Sequence, residues 1–335
     1  MDNPIDFVIP WVDGSDKAWL KEKNIAGGLS PEENLDSHLA RYRDWHLLHY
    51  WFRGVEKFAP WVNKIHFVTW GHVQKWLNTN HPKLNIVTHA DYIPAKYLPT
   101  FCNHPIELNF HRIKGLTEQF VYLNDDMFMV NHLKPTDFFI NGLPRDQAIL
   151  SYITMTDTNP FPYYMLNNIG VLNRHFNKRQ LIKQHKKLWY HAAYGPSGIA
   201  KNLLLSWTKN FPGLENKHIH QPHLKTTFTE VWEKEYDKAD ATCLNKFRHM
   251  ENITHFSVRD WQMAKGQFVP INLDKIGKNF HIAQQPDALL DAIKHQKYKI
   301  ICANDTDALD NFEEIQPRLD QAFSTLLPET SSFEQ

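Results

Sequence analysis

The sequence predicts an α/β protein built on a mainly parallel sheet with helices on both faces. Short apolar, β-branched runs alternate with segments of three- and four-residue apolar periodicity, and Gly, Asn and Pro separate them. The 335 residues are 42% apolar and 13% aromatic, enough for a large buried core.

Taken in order, Ile5 to Pro10 is the first strand. It breaks into the turn-forming Trp-Val-Asp-Gly-Ser-Asp of residues 11–16, which leaves acidic groups just past a strand end. Apolar positions Leu39, Tyr42, Leu47, Tyr50, Trp51 and Val55 mark an amphipathic helix over 39–58, stopped by Pro60. Residues 64–69 read as a second strand, 73–78 as a short helix and 84–88 as a third strand. Asn103 is placed to cap a helix opened by Pro105, which continues through Ile106, Phe110 and Ile113 to Gly115. Residues 120–123 form a fourth strand ending in Asn124-Asp125-Asp126. Strand and helix alternating in this way give a Rossmann-like arrangement.

Between about 135 and 294 the texture changes to aromatic, Lys- and His-rich segments such as 176–190 and 228–236, which read as helices with few strands. Residues 298–303 are again strand-like, followed by Asn304-Asp305-Thr306-Asp307 and an amphipathic helix over 312–326. The expected organisation is an α/β core over 1–134, a mainly helical insertion over 135–294, and a strand and helix over 295–335 that return to the core sheet.

Basic and acidic side chains number 37 each, so no basic face for nucleic acid is expected. Three widely spaced cysteines suggest neither a disulfide framework nor a Cys-ligated zinc site, which fits a reducing cytoplasm. No basic start followed by an apolar run opens the chain, and no run of about eighteen apolar residues occurs, so neither signal peptide nor spanning helix is expected.

Three strands end in acidic loops: Asp13 and Asp16, Asp125 and Asp126, Asp305 and Asp307. In an open parallel sheet such loops share the carboxyl edge where ligands bind. Clustered carboxylates there suit Mg²⁺ or Mn²⁺ with substrate phosphates completing the shell, although each Asp singly also serves as a turn former or helix cap. His104, Glu107 and His111 lie three and four residues apart on one helix face, with Arg112 adjacent, either a functional face or a solvated one. Downstream, His218, His220 and His223 cluster around Gln221-Pro222, and Phe247-Arg248-His249 follows. Arg braces phosphate oxygens, and His removes a hydroxyl proton near neutral pH. No P-loop, G-x-G-x-x-G or G-x-S-x-G is present, which removes the usual support for an NTPase, a dinucleotide oxidoreductase or an α/β-hydrolase. Trp189, Trp207, Trp232 and Trp261 are available to stack on sugar rings, core packing being their commoner use.

These stretches resemble the Stealth proteins. Residues 5–16, 56–65 and 98–128 resemble the first two conserved regions; His220-Gln-Pro-His223 with Phe247-Arg248 resembles the third, and Ile-Cys-Ala-Asn-Asp at 301–305 with the terminal Pro328 and Ser-Ser-Phe-Glu the fourth. The resemblance implies a GT-A-like core and a sugar-phosphate transferase. Such an enzyme moves a sugar 1-phosphate from a nucleotide diphosphate sugar, for instance UDP-N-acetylglucosamine, to a hydroxyl of a glycan or glycolipid acceptor and releases the nucleoside monophosphate. It further implies that Asp125, Asp126, Asn304 and Asp305 hold the metal, that Asp13, Gly14, Glu107, Arg112, His104 and Arg53 serve the donor, that His220 activates the acceptor hydroxyl, and that Arg248 holds the phosphate under attack, with Asp126 also catalytic. Arg41 matches a family position as well. A capsule or cell-surface glycan acceptor would bring the protein to the cytoplasmic face of the membrane. On the residues alone, two other readings stay open: a metal-dependent glycosyltransferase that releases nucleoside diphosphate, and a non-catalytic carbohydrate- or nucleotide-binding protein.

Overall fold

The computed structural model describes residues 3–28, 44–155, 160–305 and 311–335. The first part runs β1 (Ile5–Pro10), α1 (Lys17–Ala26), α2 (Leu48–Phe58), β2 (Ile65–Thr69), β3 (Leu84–Thr88), α3 (His89–Tyr92), α4 (Asn103–Leu108), β4 (Gln119–Tyr122) and β5 (Met127–Met129). It continues through α5 (Pro135–Phe138), β6 (Phe139–Ile140), β7 (Leu143–Asp146), α6 (Phe161–His175), α7 (Lys178–Gln184), α8 (Lys186–Trp189) and α9 (Gly195–Leu205). The remainder is β8 (Gln221–Leu224), α10 (Lys225–Lys234), α11 (Tyr236–Leu244), α12 (Phe256–Ala264), β9 (Val269–Pro270), β10 (Gly277–His281), α13 (Pro286–Lys294), β11 (Ile300–Asn304) and α14 (Phe312–Leu326).

The α/β class is as the sequence predicts. Strands β3, β2, β1 and β4 pair parallel in that order, and β8 adds to β4 antiparallel. Side chains alternate across the sheet as strand geometry requires. Phe7 and Ile9 of β1 enter a core with Trp51 and Phe52 of α2 and Leu319 and Phe323 of α14, whereas Val8 faces Phe110, Phe228 of α10 and Trp261 of α12. Helices therefore cover both faces.

Several elements differ from expectation. The helix expected over 39–58 begins at Leu48, after His46 takes φ +55°; residues 39–43 lie outside the described residues. Residues 73–78 are not helical, because their polar backbone pairs with the chain terminus: Asn78 N–H donates to Phe333 O, and Gln335 N–H to Trp76 O. The helix at 103 stops at Leu108, where Asn109 Nδ2 turns back onto Pro105 O, and a 3-10 turn over Phe110–Arg112 replaces its second half. Asn103 is its first residue rather than its cap; Cys102 holds the cap position.

The stretch 135–294 is rich in helix, yet it also supplies β6 to β10, and β8 lies in the principal sheet. The strand near 300 does not return to that sheet. β11 instead pairs parallel with β10 and antiparallel with β5 in a separate three-stranded sheet, and that pairing carries it to the functional edge.

Candidate active site

β4 ends at Tyr122 and β5 begins at Met127, so Asn124-Asp125-Asp126 turn at the carboxyl edge of the sheet. Leu123 N–H donates to Val8 O, which keeps this turn beside the end of β1. Cys302 lies opposite Met127, and Ala303 N–H donates to Asp126 O at 2.8 Å. This register brings Asn304 and Asp305 to the Asp125-Asp126 turn: two of the three acidic loops converge. The first loop lies at the same edge by topology, since β1 and β4 are parallel neighbours.

The centre is Asp126. Its Oδ2 accepts from the Cys302 thiol at 3.2 Å and stands 3.6 Å from His218 Nε2, while its Oδ1 is buried without a partner. His218 Nε2 is also 3.5 Å from Asn124 Nδ2, and 39% of its side chain remains open to solvent. Burial disfavours a charge on His218, but its contact with the Asp126 carboxylate outweighs this, and its pKa is raised. Asp125 is exposed as a residue, and the surrounding protein and the Asp126 charge push its carboxyl up to about 7. Asn304 Nδ2 is 3.3 Å from His281 Nδ1, and Asp305 accepts from Trp45 Nε1.

Behind this edge stands a buried polar cluster around Glu107. Its carboxylate accepts from Asn103 Nδ2, Tyr122 OH and His255 Nδ1 at 2.8, 2.7 and 2.5 Å. Burial opposes ionisation of Glu107, but His255, His104 and these hydrogen bonds hold it ionised, with its pKa down at about 2. Arg248 is exposed and donates from Nε to Asn103 Oδ1, close enough for its charge to bear on His218. His104 is 2% exposed, packs edge-on against Tyr164 and meets Asn252 through Nδ1. Burial drives its pKa down to about 3.

The other expected site residues make their recorded contacts outside the Asp126 group. His220 is 2% exposed and edge-on to Phe138 at 5.1 Å, and burial drives its pKa down to about 3. Arg53 forks onto Glu334 and reaches Leu327 O, tying down the terminus. Arg112 binds Asn109 Oδ1 and lies over Trp232. Asp13 accepts from the Ser15 N–H and hydroxyl, with Gly14 between them. Asp16 caps α1 through Ala18 and Trp19 N–H, the turn-and-cap role that Asp commonly plays. Half-buried His111 stacks on Phe228. Trp189, Trp232 and Trp261 are core residues, whereas Trp207 is 74% exposed. Arg41 and Asp307 lie outside the described residues.

The sequence reading missed His218 as the histidine on Asp126, Cys302 as its thiol neighbour, and Tyr122 and His255 as partners of Glu107. Only His218 left a signal, as a member of the histidine cluster.

Residues around Asp126 fit a divalent cation. A buried carboxylate oxygen without a partner is costly unless a positive group completes it. The ligand atoms of Asp126, His218 and Cys302 all lie within 4.8 Å of one another. The carboxylate in this set suits Mg²⁺ or Mn²⁺, whereas its nitrogen and sulfur suit a softer ion. A cleft of about 570 Å³ is lined by Ser197, Lys201, Glu215, Asn216, Asn272 and Asp274 among others, including Lys217, next to His218 in the chain.

Residues 3–30 match Stealth protein CR1, conserved region 1, and residues 41–146 match Stealth protein CR2, conserved region 2. The chain is 42% identical to the capsular polysaccharide phosphotransferase WcwK of Streptococcus pneumoniae, over 99% of this chain and 98% of that one. It is 37% identical to the receptor polysaccharide phosphotransferase WefC of Streptococcus gordonii, over 98% of both chains. The exopolysaccharide phosphotransferase cps2G of Lactiplantibacillus plantarum is 34% identical over 99% of this chain and 96% of that one. Among solved structures, the WbbM bifunctional glycosyltransferase is matched over 98% of this chain and 50% of that one, at 10% identity and a TM-score of 0.40.

Proposed function

The chain belongs to the Stealth family of phosphotransferases, and from that premise we propose that it transfers a sugar 1-phosphate from a nucleotide diphosphate sugar to a hydroxyl of a glycan, in the synthesis of a capsular or other cell-surface polysaccharide. The reading is carried by one observation: the Asn124-Asp125-Asp126 turn and Asn304-Asp305 meet at one edge, with His218 on Asp126 and Arg248 near by.

The difficulty of the reaction is to hold an anionic diphosphate in line with a nucleophile while charge builds on the leaving group. Asp126 would hold a divalent cation through its partnerless Oδ1, with Asp125, Asn304 and Asp305 as neighbouring donors; the bound ion supplies charge neutralisation of the diphosphate. Arg248, exposed and guided by Asn103, braces the phosphoryl oxygens. The acceptor hydroxyl attacks the sugar-linked phosphorus, so a P–O bond forms to the acceptor, the bond to the nucleoside monophosphate breaks, and the sugar C1–O bond survives. The family resemblance gives the hydroxyl proton to His220. Geometry favours His218, the histidine that touches Asp126 and keeps solvent access, and the reading follows the geometry. Glu107 is a positioning residue, because Asn103, Tyr122 and His255 occupy its oxygens. The polar cleft that includes Lys217 is assigned to the acceptor glycan, whose hydroxyls suit its amide and carboxylate lining.

Incubation with a panel of nucleotide sugars, a glycan acceptor and Mn²⁺ or Mg²⁺ tests this reading. Release of nucleoside monophosphate and a phosphodiester signal in the ³¹P spectrum are expected, both lost with EDTA and in Asp126→Ala. Release of nucleoside diphosphate would replace the reading with ordinary glycosyl transfer. Donor binding without turnover would replace it with a binding protein.

A further inference from the structure

The stretch from Pro160 to Leu214 holds eight Lys or Arg residues and no Asp or Glu, in a chain whose 37 basic and 37 acidic groups otherwise balance. Three of the eight are committed to the fold: Lys178 is buried on Leu205 O, Lys201 pairs with Glu215, and Arg174 pairs with Glu235. The other five, Arg179, Lys183, Lys186, Lys187 and Lys209, are exposed.

Helix α9 lies among them. Leu203, Leu204 and Trp207, spaced so that they share one side of the helix end, are 58%, 70% and 74% exposed. This side cannot roll inward, because the opposite one is fixed. Asn202 is fully buried and bonds Leu150 N–H, Ala148 O and Trp189 O, and at Gly198 an added Cβ would stand only 2.8 Å from Tyr194 Cβ and 3.0 Å from Ile149. Arg179 donates to Trp207 O, which sets a cation at the edge of the apolar group, and Lys178 on the same helix holds Leu205 O from beneath. The Asn202–Trp189 bond ties α8, which carries the exposed Lys186 and Lys187, to the buried side of α9.

We propose that Leu203, Leu204 and Trp207, with the surrounding lysines and Arg179, form a docking surface for an anionic lipid bilayer. Apolar side chains ringed by cations are the two signals that stable but reversible attachment to a bilayer surface needs, and tryptophan suits the headgroup boundary. Charge complementarity selects anionic lipid: Arg179 borders the apolar group, Lys183 follows it one turn on along α7, Lys209 lies two residues past Trp207, and within 160–214 no carboxylate is available to offset them. Ser197, Gly198 and Lys201 of the same helix line the polar cleft that also takes in Lys217, next to His218 in the chain, so a lipid-linked acceptor would meet the enzyme from this side. That last orientation rests on the function proposed above; the docking surface does not.

The test is co-sedimentation of the full chain with vesicles of phosphatidylcholine alone and of phosphatidylcholine mixed with phosphatidylglycerol. Binding to the mixed vesicles, weakened by added salt, is expected. Leu204→Ser/Trp207→Ser should abolish it, and Lys183→Glu/Lys186→Glu/Lys187→Glu should weaken it by roughly a hundredfold or more, from about fivefold per cation at the surface. Circular dichroism should show both variants folded, with monophosphate release on a water-soluble acceptor unchanged. Equal sedimentation with and without phosphatidylglycerol overturns the proposal, as does wild-type binding matched by both variants. A wild-type dimer in light scattering that Leu204→Ser/Trp207→Ser dissolves, with no vesicle binding, also overturns it and makes the face a contact between copies. Vesicle binding is read without donor or acceptor, so its failure leaves the catalytic reading standing, and the converse holds.

Discussion

Two positions apart in the chain, His218 and His220 differ in what a proton-transfer group needs. His218 keeps 39% of its side chain in solvent and has its pKa raised through Asp126, toward the working pH of a general base. His220 is sealed against Phe138 and is neutral throughout the physiological range. His218→Ala should therefore lower kcat by about 10²–10⁴ with little change in stability. His220→Ala should cost about 1–3 kcal/mol of stability through the cavity it opens and leave the remaining activity per folded molecule nearly intact. Steady-state kinetics beside urea unfolding separates the two, and the opposite pattern returns the catalytic role to His220. The acidic pairs were legible in the sequence because strand ends are readable from β-branched runs. The choice between two histidines was not, since it depends on which ring the fold turns toward Asp126.

At the scale of elements, Arg259 of α12 fixes the segment that carries His218. Its Nε and Nη2 fork onto Asp146 at the end of β7 at 2.7 and 2.6 Å, with both side chains 3% exposed, and its Nη1 donates to Glu215 O and to Asn216 Oδ1. One guanidinium thus joins α12, β7 and the strand-like approach to residue 218. Arg259→Met leaves Asp146 buried without its partner and should cost about 3–5 kcal/mol. Arg259→Lys keeps the charge but loses the fork, so it should reduce kcat more than it raises KM. Adding Asp146→Asn to Arg259→Met should recover part of the stability but not the turnover; full recovery of turnover would show that the clamp does not position His218. None of this was readable from local pattern. Arg259 and Asp146 stand 113 positions apart, and β8, with Pro222 in the middle of Gln-Pro-His-Leu, lacks the β-branched run that reveals a strand. The segment 73–78 misled in the opposite way: its apolar spacing suits a helix, but its hydrogen bonds go to the chain terminus.

For the molecule as a whole, the abundance of histidine becomes a pH dependence of folding. His89, His104, His220 and His223 are all buried, and burial lowers each, to about 4 for His89, to about 3 for His104 and His220, and well below its ordinary value for His223. Below the ordinary histidine pKa of about 6.5 the unfolded chain takes up these protons while the folded chain does not. Stability therefore falls as the pH drops below 6.5, and goes on falling until the folded rings themselves titrate near 3 to 4. Asp260, buried beside Arg259 with both oxygens unpartnered, and Asp125 act in the other direction: each is raised to about 7 and gains a proton in the folded state first. Four histidines against Asp260 and the exposed, solvent-screened Asp125 leave a net loss of about 2–4 kcal/mol per pH unit at most between pH 6 and 5. Lowered carboxylates such as Glu107 add to the loss only at lower pH, below their unfolded value of about 4.5. The midpoint of urea unfolding should accordingly be lower at pH 5.5 than at pH 7, and His104→Asn/His223→Gln should flatten the difference. A midpoint that holds or rises on acidification would mean that these rings take up protons in the folded chain, and the buried cluster behind Asp126 would then have to open to water.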